Sequence, residues 1–305
     1  MKRLSYILLS LTVLCVCAAL LTAFPRTLAW QNGQGLLSSI FFTESTTTAK
    51  LRESYDTGRR IRVLIVPGHD DAAWGTEFRG LKEADVTVAL GEELAYVLSS
   101  DPHFEPVLVR TKSGYTKEFA EYFKVEKETT RAFIADKKKV MKDLLRQGML
   151  EREEGIIHNS ASSDVALRLY MINKWANEHA VDLVLHIHLN DYPRKARTKP
   201  GRYSGFALYV PDRQYSNAGP SVEIATSIAR RLSEKLTPST HPQEGAIVPD
   251  QELIAVGAYN TLDPAVVLLE YGYIYENRLA AGNREKTIAE LVSLTHQGLS
   301  DFFRE

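Results

Sequence analysis

The chain has 305 residues, 44% hydrophobic and 25% charged, and its 37 Lys+Arg nearly balance its 38 Asp+Glu. That composition suits one sizeable globular domain with extra segments, and it excludes a disordered or fibrous chain and a protein whose overall field draws nucleic acid. Both cysteines, Cys15 and Cys17, fall in an apolar N-terminal stretch, so the remainder holds no disulfide, no cysteine nucleophile and no thiolate metal site.

Lys2 and Arg3 precede an uncharged run from Leu4 to Phe24. Such a run is long enough to span a bilayer, and the leading positive charges predict an N-terminus kept inside with the body exported. Residues 1–24 read either as an uncleaved anchor or as a cleaved signal. Cleavage after Ala23 or Ala29 satisfies the small-residue rule only in part, and neither cysteine follows the small residue that a lipoprotein signal needs. Residues 25–60, with the polar run Thr43 to Lys50, read as a linker, and the folded domain as 61–305.

Apart from Arg62, Ile61 to Val66 is apolar, as a strand covered on both faces should be. From Glu83 to Ser100, Val86, Ala89, Leu90, Leu94, Val97 and Leu98 keep helical spacing, and Phe104 to Arg110 returns to strand character. Strand, helix, strand with short joints predicts a βαβ unit. From Lys117 to Glu154 the texture changes to dense mixed charge around Phe119, Tyr122, Phe133, Met141, Leu144 and Leu145, which predicts one or two amphipathic helices inserted at about 112–159. The one basic run, Lys137 to Lys139, reads there as a solvated helix face. Ser163 to Ala180 is a helix, Asp182 to His188 and Gly205 to Pro211 are strands, and Ser221 to Leu236 is a helix. Ala265 to Glu270 is a strand and Glu285 to Phe303 closes the chain as a helix. The expected fold is α/β: a single mixed, mostly parallel sheet flanked by helices, with a helical insertion and an N-terminal membrane segment.

Chemistry concentrates at the ends of the predicted strands. His69 follows the first strand on a loop begun by Pro67 and Gly68, although a lone loop histidine is more often solvated than bound to a ligand. Glu83 opens the first helix, where a carboxylate also serves as a plain capping charge. In His186-Ile187-His188 the period of two puts both imidazoles on one face, which core packing explains poorly. Asn190 and Asp191 continue that polar cluster. Glu270 ends AVVLLE on the face of Val266 and Leu268, where an ionised carboxylate needs compensation by a metal, a water or a buried cation. Two histidines and a carboxylate form the ligand set of hydrolytic zinc sites, and a further Glu can move the water's proton. Spacing alone does not assign the roles.

Several blocks carry a resemblance: Pro67-Gly68-His69, then Gly80-Leu81-Lys82-Glu83-Ala84-Asp85-Val86, then His188 and Asn190, Gly205-Phe206 with Tyr209, and Pro264 to Glu270 with Gly272, Tyr273 and Asn277. In that order, over about residues 61–305, the chain resembles the zinc-dependent N-acetylmuramoyl-L-alanine amidases, exported bacterial enzymes that cut the amide between muramic acid and the first alanine of the peptidoglycan stem. The resemblance implies zinc (Zn2+) on His69, Glu83 and His188, Glu270 as the catalytic carboxylate, peptidoglycan as substrate and the cell envelope, periplasmic or surface, as the location. His186 stands where the family usually has serine, so it is expected beside the ligands or on the substrate side, as is Asn190. Asp70 and Asp71 replace glycines next to the first ligand.

The segment from Lys112 to Asn159 is longer than a simple family member has there. It is expected to form either a lid or arm that an activator protein engages, or a helical pair packed on the sheet edge. Two rival functions remain at this level: a zinc carboxypeptidase or other amidohydrolase, for which Arg79 or Arg168 would hold a terminal carboxylate, and an inactive envelope protein that recruits partners. No nucleic-acid partner is expected.

Overall fold

Strand β1 (Ile61–Pro67) is rich in the β-branched residues that favour strands, Ile61, Val63, Ile65 and Val66, and it lies second from one edge of a six-stranded sheet. The computed structural model describes residues 46–153, 155–156 and 161–305; the predicted membrane segment, most of the linker and the end of the insertion lie outside them. Among the described residues no helix is long and apolar enough to cross a membrane.

The other strands of the sheet are β4 (Phe104–Leu108), β7 (Leu183–Asn190), β8 (Ala207–Pro211), β9 (Ile247–Asp250) and β10 (Ala265–Tyr273), in the order β4-β1-β7-β10-β8-β9. β4, β1, β7 and β10 run parallel, β8 is antiparallel to β10, and β9 is parallel to β8. The sheet is therefore mixed and mostly parallel, as expected. Two short hairpins, β2–β3 (Glu77–Phe78, Leu81–Lys82) and β5–β6 (Arg110–Thr111, Gly114–Tyr115), stand outside it.

Alternation along the strands divides the core. Ile61, Val63, Ile65, Leu183, Leu185, Ile187, Val267 and Leu269 face one layer, built by α2 (Glu83–Ser99), α6 (Ala218–Leu232) and α7 (Arg284–Arg304). Leu64, Val66, Val184, Val266 and Leu268 face the other, against Phe119 and Phe123 of α3 (Lys117–Val125) and Met171, Ile172 and Trp175 of α5 (Ser163–Glu178). α2 is helical for the reason its spacing predicts: Val86, Leu90, Leu94 and Leu98 form one buried stripe, and Glu83 and Asp85 occupy the first turn, where the helix dipole favours acids. The described residues of the inserted segment include two helices, α3 and the exposed, charge-rich α4 (Lys127–Arg146), which packs against α5.

The linker expected at 25–60 is corrected at its end. Residues Thr48–Asp56 form helix α1, capped by the Thr47 side chain on the Lys50 amide at 3.2 Å. Its buried Leu51 and Tyr55 dock it on the domain, with Tyr55 stacked on His103 at 4.5 Å and on Phe303 at 5.0 Å. Two large apolar residues in nine, Leu51 and Tyr55, give too faint a period to separate such a helix from a linker. β9 was also missed: it is four residues long with Pro249 inside it, a composition that a sheet tolerates only at its edge.

Candidate active site

The parallel register brings the C-terminal ends of β1, β7 and β10 together, pairing Pro67 with Ile187 and His188 with Glu270. This rim is where open α/β sheets bind ligands. His186, His188 and Glu270 share the parity of Val184 and Leu268, so all three lie on the α5 side of the sheet.

At the rim, Glu83 joins two histidines. Its Oε2 lies 3.1 Å from His69 Nε2 and its Oε1 lies 3.1 Å from His188 Nδ1. The carboxylate is buried and accepts the Thr76 and Leu189 amides at 3.0 Å each, so its oxygens are fixed by backbone as well as by imidazole. One donor atom from each of the three residues falls within 4.8 Å of the other two. Glycines make room for them: a Cβ on Gly68 would overlap the His188 ring, and one on Gly75 would overlap Glu83 and His69.

Burial by itself would raise the Glu83 carboxyl, but the His188 and His69 rings outweigh it and hold the group well below its ordinary value. For His69, burial opposes the charged form and is outweighed by Glu83, so its pKa is raised; for His188 burial prevails and the pKa is lowered. The His69 Nδ1 lies 3.2 Å from the Ala73 carbonyl, which can only accept a hydrogen, so Nδ1–H donates there and Nε2 is the ring nitrogen that faces Glu83.

The His69 loop is held by residues far along the chain. His69 adopts a left-handed backbone, φ 64°. Asp70 Oδ1 accepts the Ala72 and Ala73 amides at 3.0 and 2.8 Å, while Oδ2 accepts the Tyr115 hydroxyl at 2.9 Å and meets Arg168 at 3.2 Å. The buried Arg110 guanidinium donates to the carbonyls of Pro67, Gly68 and Ala84 at 3.2, 2.9 and 3.0 Å. Asp70 is thus a structural tie for the His69 loop, whereas Asp71 is exposed. A lone arginine at the end of the second predicted strand and a tyrosine at the start of the insertion carry no local pattern that would have singled them out.

Glu270 lies across from His188, partly buried, and its Oε2 has no hydrogen-bond partner. Burial pushes its carboxyl well above the ordinary range, and the nearby carboxylates of Glu83 and Glu244 push it further. Glu244 is the acidic residue that sequence reasoning missed. Asn190 and Tyr209 donate to its Oε1 at 2.9 Å each, Tyr273 donates to its Oε2 at 3.1 Å, and the Ser239 hydroxyl also donates to Oε2. Asn190 therefore braces a neighbouring carboxylate. His186 is fully buried beneath His188, its pKa pushed down to about 3 by burial and then by His188, and neither ring nitrogen has a partner. Its place is under the site, so it does not line the substrate side in this conformation, and it is His188 that faces Glu83.

A mixed α/β sheet whose strand ends gather a His-Glu-His cluster able to hold a metal, beside a carboxylate with one buried oxygen that has no partner among the described residues, is the arrangement of metal-site hydrolases. The sequence signature of N-acetylmuramoyl-L-alanine amidases matches residues 63–292. The chain belongs to that family and is a hydrolase of the amide between N-acetylmuramic acid and L-alanine in peptidoglycan.

No curated protein matches the chain in sequence. Among solved structures, the N-acetylmuramyl-L-alanine amidase Ami1 from Mycobacterium smegmatis is similar in fold: TM-score 0.53, 16% identity, 80% of this chain and 97% of that chain covered. Ami1 from Mycobacterium abscessus gives 0.51, 15%, 80% and 98%. The CwlD amidase from Clostridioides difficile, in complex with the GerS lipoprotein, gives 0.51, 13%, 80% and 99%. At these identities the likeness concerns the fold.

Proposed function

We propose that the chain is an exported zinc amidase that holds its metal on His69, Glu83 and His188 and uses Glu270 as the proton-transferring group. The observation that carries this reading is the convergence of two imidazole nitrogens and one carboxylate within 4.8 Å, beside Glu270, whose buried Oε2 has no hydrogen-bond partner among the described residues. The donor set fits zinc: nitrogen and oxygen ligands, a tautomer set by the Ala73 carbonyl, and no thiolate in the domain. When bound there, zinc supplies Lewis-acid chemistry, polarising a carbonyl and acidifying water.

The chain's own residues do the rest. Glu270, raised by its burial, is suited to take a proton from attacking water and to return it to the leaving alanine nitrogen, which departs as an amine. Glu244, bound by four side chains from β7, β8, β10 and the loop before β9, supports the negative flank and the wall beside Glu270. Arg110 and Asp70 hold the His69 loop in its left-handed turn.

The uncharged run behind Lys2 and Arg3 supports export, with residues 1–24 as signal or anchor and 61–305, extended to α1, as the catalytic domain. The insertion supports a role for a protein partner. Phe123 of α3 packs on Tyr115 at 5.0 Å, and Tyr115 binds Asp70 beside the first ligand, so a protein docked on the arm has a mechanical path to the site. The similar CwlD amidase is found with a lipoprotein partner. The family match replaces the carboxypeptidase alternative, and the presence of all four site residues argues against an inactive recruiter.

The test is hydrolysis of purified peptidoglycan by the full chain, with chelator and with zinc restored, beside a Glu270→Ala variant. Stem peptide should appear only with zinc and the native Glu270. Release that is equal with and without zinc, or equal in the variant, overturns the reading.

A further inference from the structure

Between Asp191 and Asp212 the chain carries no acid but five cations: Arg194, Lys195, Arg197, Lys199 and Arg202. The stretch stands out in a protein with a formal net charge of −1. Its cations are interleaved with Pro, Ala, Thr and Gly, so it does not read as a charge run.

Both ends of this loop are pinned at the site. It leaves β7 just past His188 and Asn190, and it enters β8 at Ala207, which pairs with Glu270. Arg194 turns inward: it donates to the carbonyls of Arg197 and Glu77 at 2.6 and 2.8 Å, meets Asp191 at 2.9 Å, and lies over Phe78 and Tyr275. Arg79 donates to the Thr198 carbonyl at 3.4 Å. The loop is thereby tied to the 77–79 turn, which lies between the ligands His69 and Glu83. Among the described residues, the side chains of Lys195, Arg197 and Lys199 are exposed and take part in no hydrogen bond or ion pair. Three neighbouring cations without counter-charge repel one another, and they gain when an anion is placed among them.

We infer that this loop is a receptor for the carboxylates of the substrate's peptide stem. The inference rests on the proposed function and sharpens it. A stem joined to muramic acid through its first amino group ends in a free carboxylate, so the part of the substrate that extends from the scissile amide is anionic. The loop begins and ends beside His188 and Glu270, which puts its charges within reach of that stem while the amide is being cut. Such contacts act over a distance, assist capture and weaken with salt. The enzyme then favours stems with free carboxylates over stems with amidated ones.

The test uses the full chain and two soluble muramoyl-peptide fragments, identical except that the stem carboxylates of one are amidated. The comparison variant is Lys195→Gln/Arg197→Gln/Lys199→Gln. At low salt the native enzyme should show about tenfold lower KM for the free-carboxylate fragment, and the preference should collapse at about 1 M salt, where charges are screened beyond about 3 Å. The triple variant should lose the preference through KM, with little change in kcat. Equal KM for the two fragments in the native enzyme, or an unchanged preference in the variant, overturns the inference. Loss in the variant of binding to vesicles rich in anionic phospholipid, with the fragment preference intact, also overturns it in favour of a lipid surface. Fragment binding to zinc-stripped protein, read by calorimetry, separates the two readings. A preference for the free-carboxylate fragment there supports the loop even if no cleavage occurs, and its absence overturns the loop even if cleavage is normal.

Discussion

Glu83 and His188, 105 positions apart, meet with Oε1 3.1 Å from Nδ1, and the same oxygen accepts the Leu189 amide. One carboxylate oxygen thus sets both the His188 ring and the backbone that follows it. Glu83→Ala removes a proposed ligand and that brace together. Zinc affinity measured against a competing chelator should fall by more than about 100-fold, beyond the range for changes one step outside a metal's ligands. Native affinity in the variant would remove Glu83 from the ligand set.

Replacement of Glu270 by Gln should separate activity from stability. Turnover should fall by about 10² to 10⁴ if the group transfers protons. A carboxyl whose folded pKa is raised costs stability at every pH above its unfolded value of about 4.3, so the amide should stabilise the zinc-free protein at neutral pH. A gain of about 1–3 kcal/mol would raise the melting temperature by several degrees. The gain should vanish as the pH falls below about 4. A lowered melting temperature at neutral pH would contradict the raised pKa.

Asp70→Asn and Tyr115→Phe each loosen the turn that presents His69, and each should weaken zinc by about 10- to 100-fold. Because the two side chains share one hydrogen bond, the double variant should lose less than the sum of the single losses in free energy. Additive losses in the chelator competition would mean that they act separately.

Gly75 has φ +74°, and a Cβ there would overlap both Glu83 and His69. Gly75→Ala should destabilise the domain by more than about 1 kcal/mol and weaken zinc as well, which urea unfolding and the same competition assay would read. A stable variant with native zinc affinity would show that the loop can move aside.

Far from the site, Asp101 meets His103 Nδ1 at 2.8 Å and His296 Nε2 at 2.9 Å. Burial would raise its carboxyl, but the His103 amide and the two rings outweigh it, so its folded pKa lies below the ordinary value. Its contribution to stability is complete above the unfolded pKa of about 3.9 and is lost as the pH falls through the lower folded value. Melting curves of native protein and Asp101→Asn should therefore differ steadily from neutral pH down to about 5 and converge in stronger acid. A gap that persists below about pH 2 would assign the effect to packing.

Much of the fold was legible because its signals are local. The apolar run of β1 around Arg62, the four-residue stripe of α2, the period-two placement of His186 and His188 on β7 and that of Glu270 on β10 are each a pattern within one element. Legibility failed where an element is short or weakly apolar, as in α1 and β9, and where a role depends on a distant partner. Asp70 looked like an odd substitution for glycine until Tyr115 and Arg168 were seen to bind it. Glu244 had no motif of its own, since its meaning comes from four donors on separate segments.

The sequence by itself determined which residue types stand at the strand ends, which face of the sheet they share and that no thiolate is available, because side-chain alternation and composition are properties of neighbouring residues. Tertiary structure alone decided that Glu83 reaches both His69 and His188, that His186 is sealed beneath them, and that the basic loop is fastened to the same rim. Those outcomes depend on parallel register and on loop closure between segments tens of residues apart, and no local pattern in the chain encodes them.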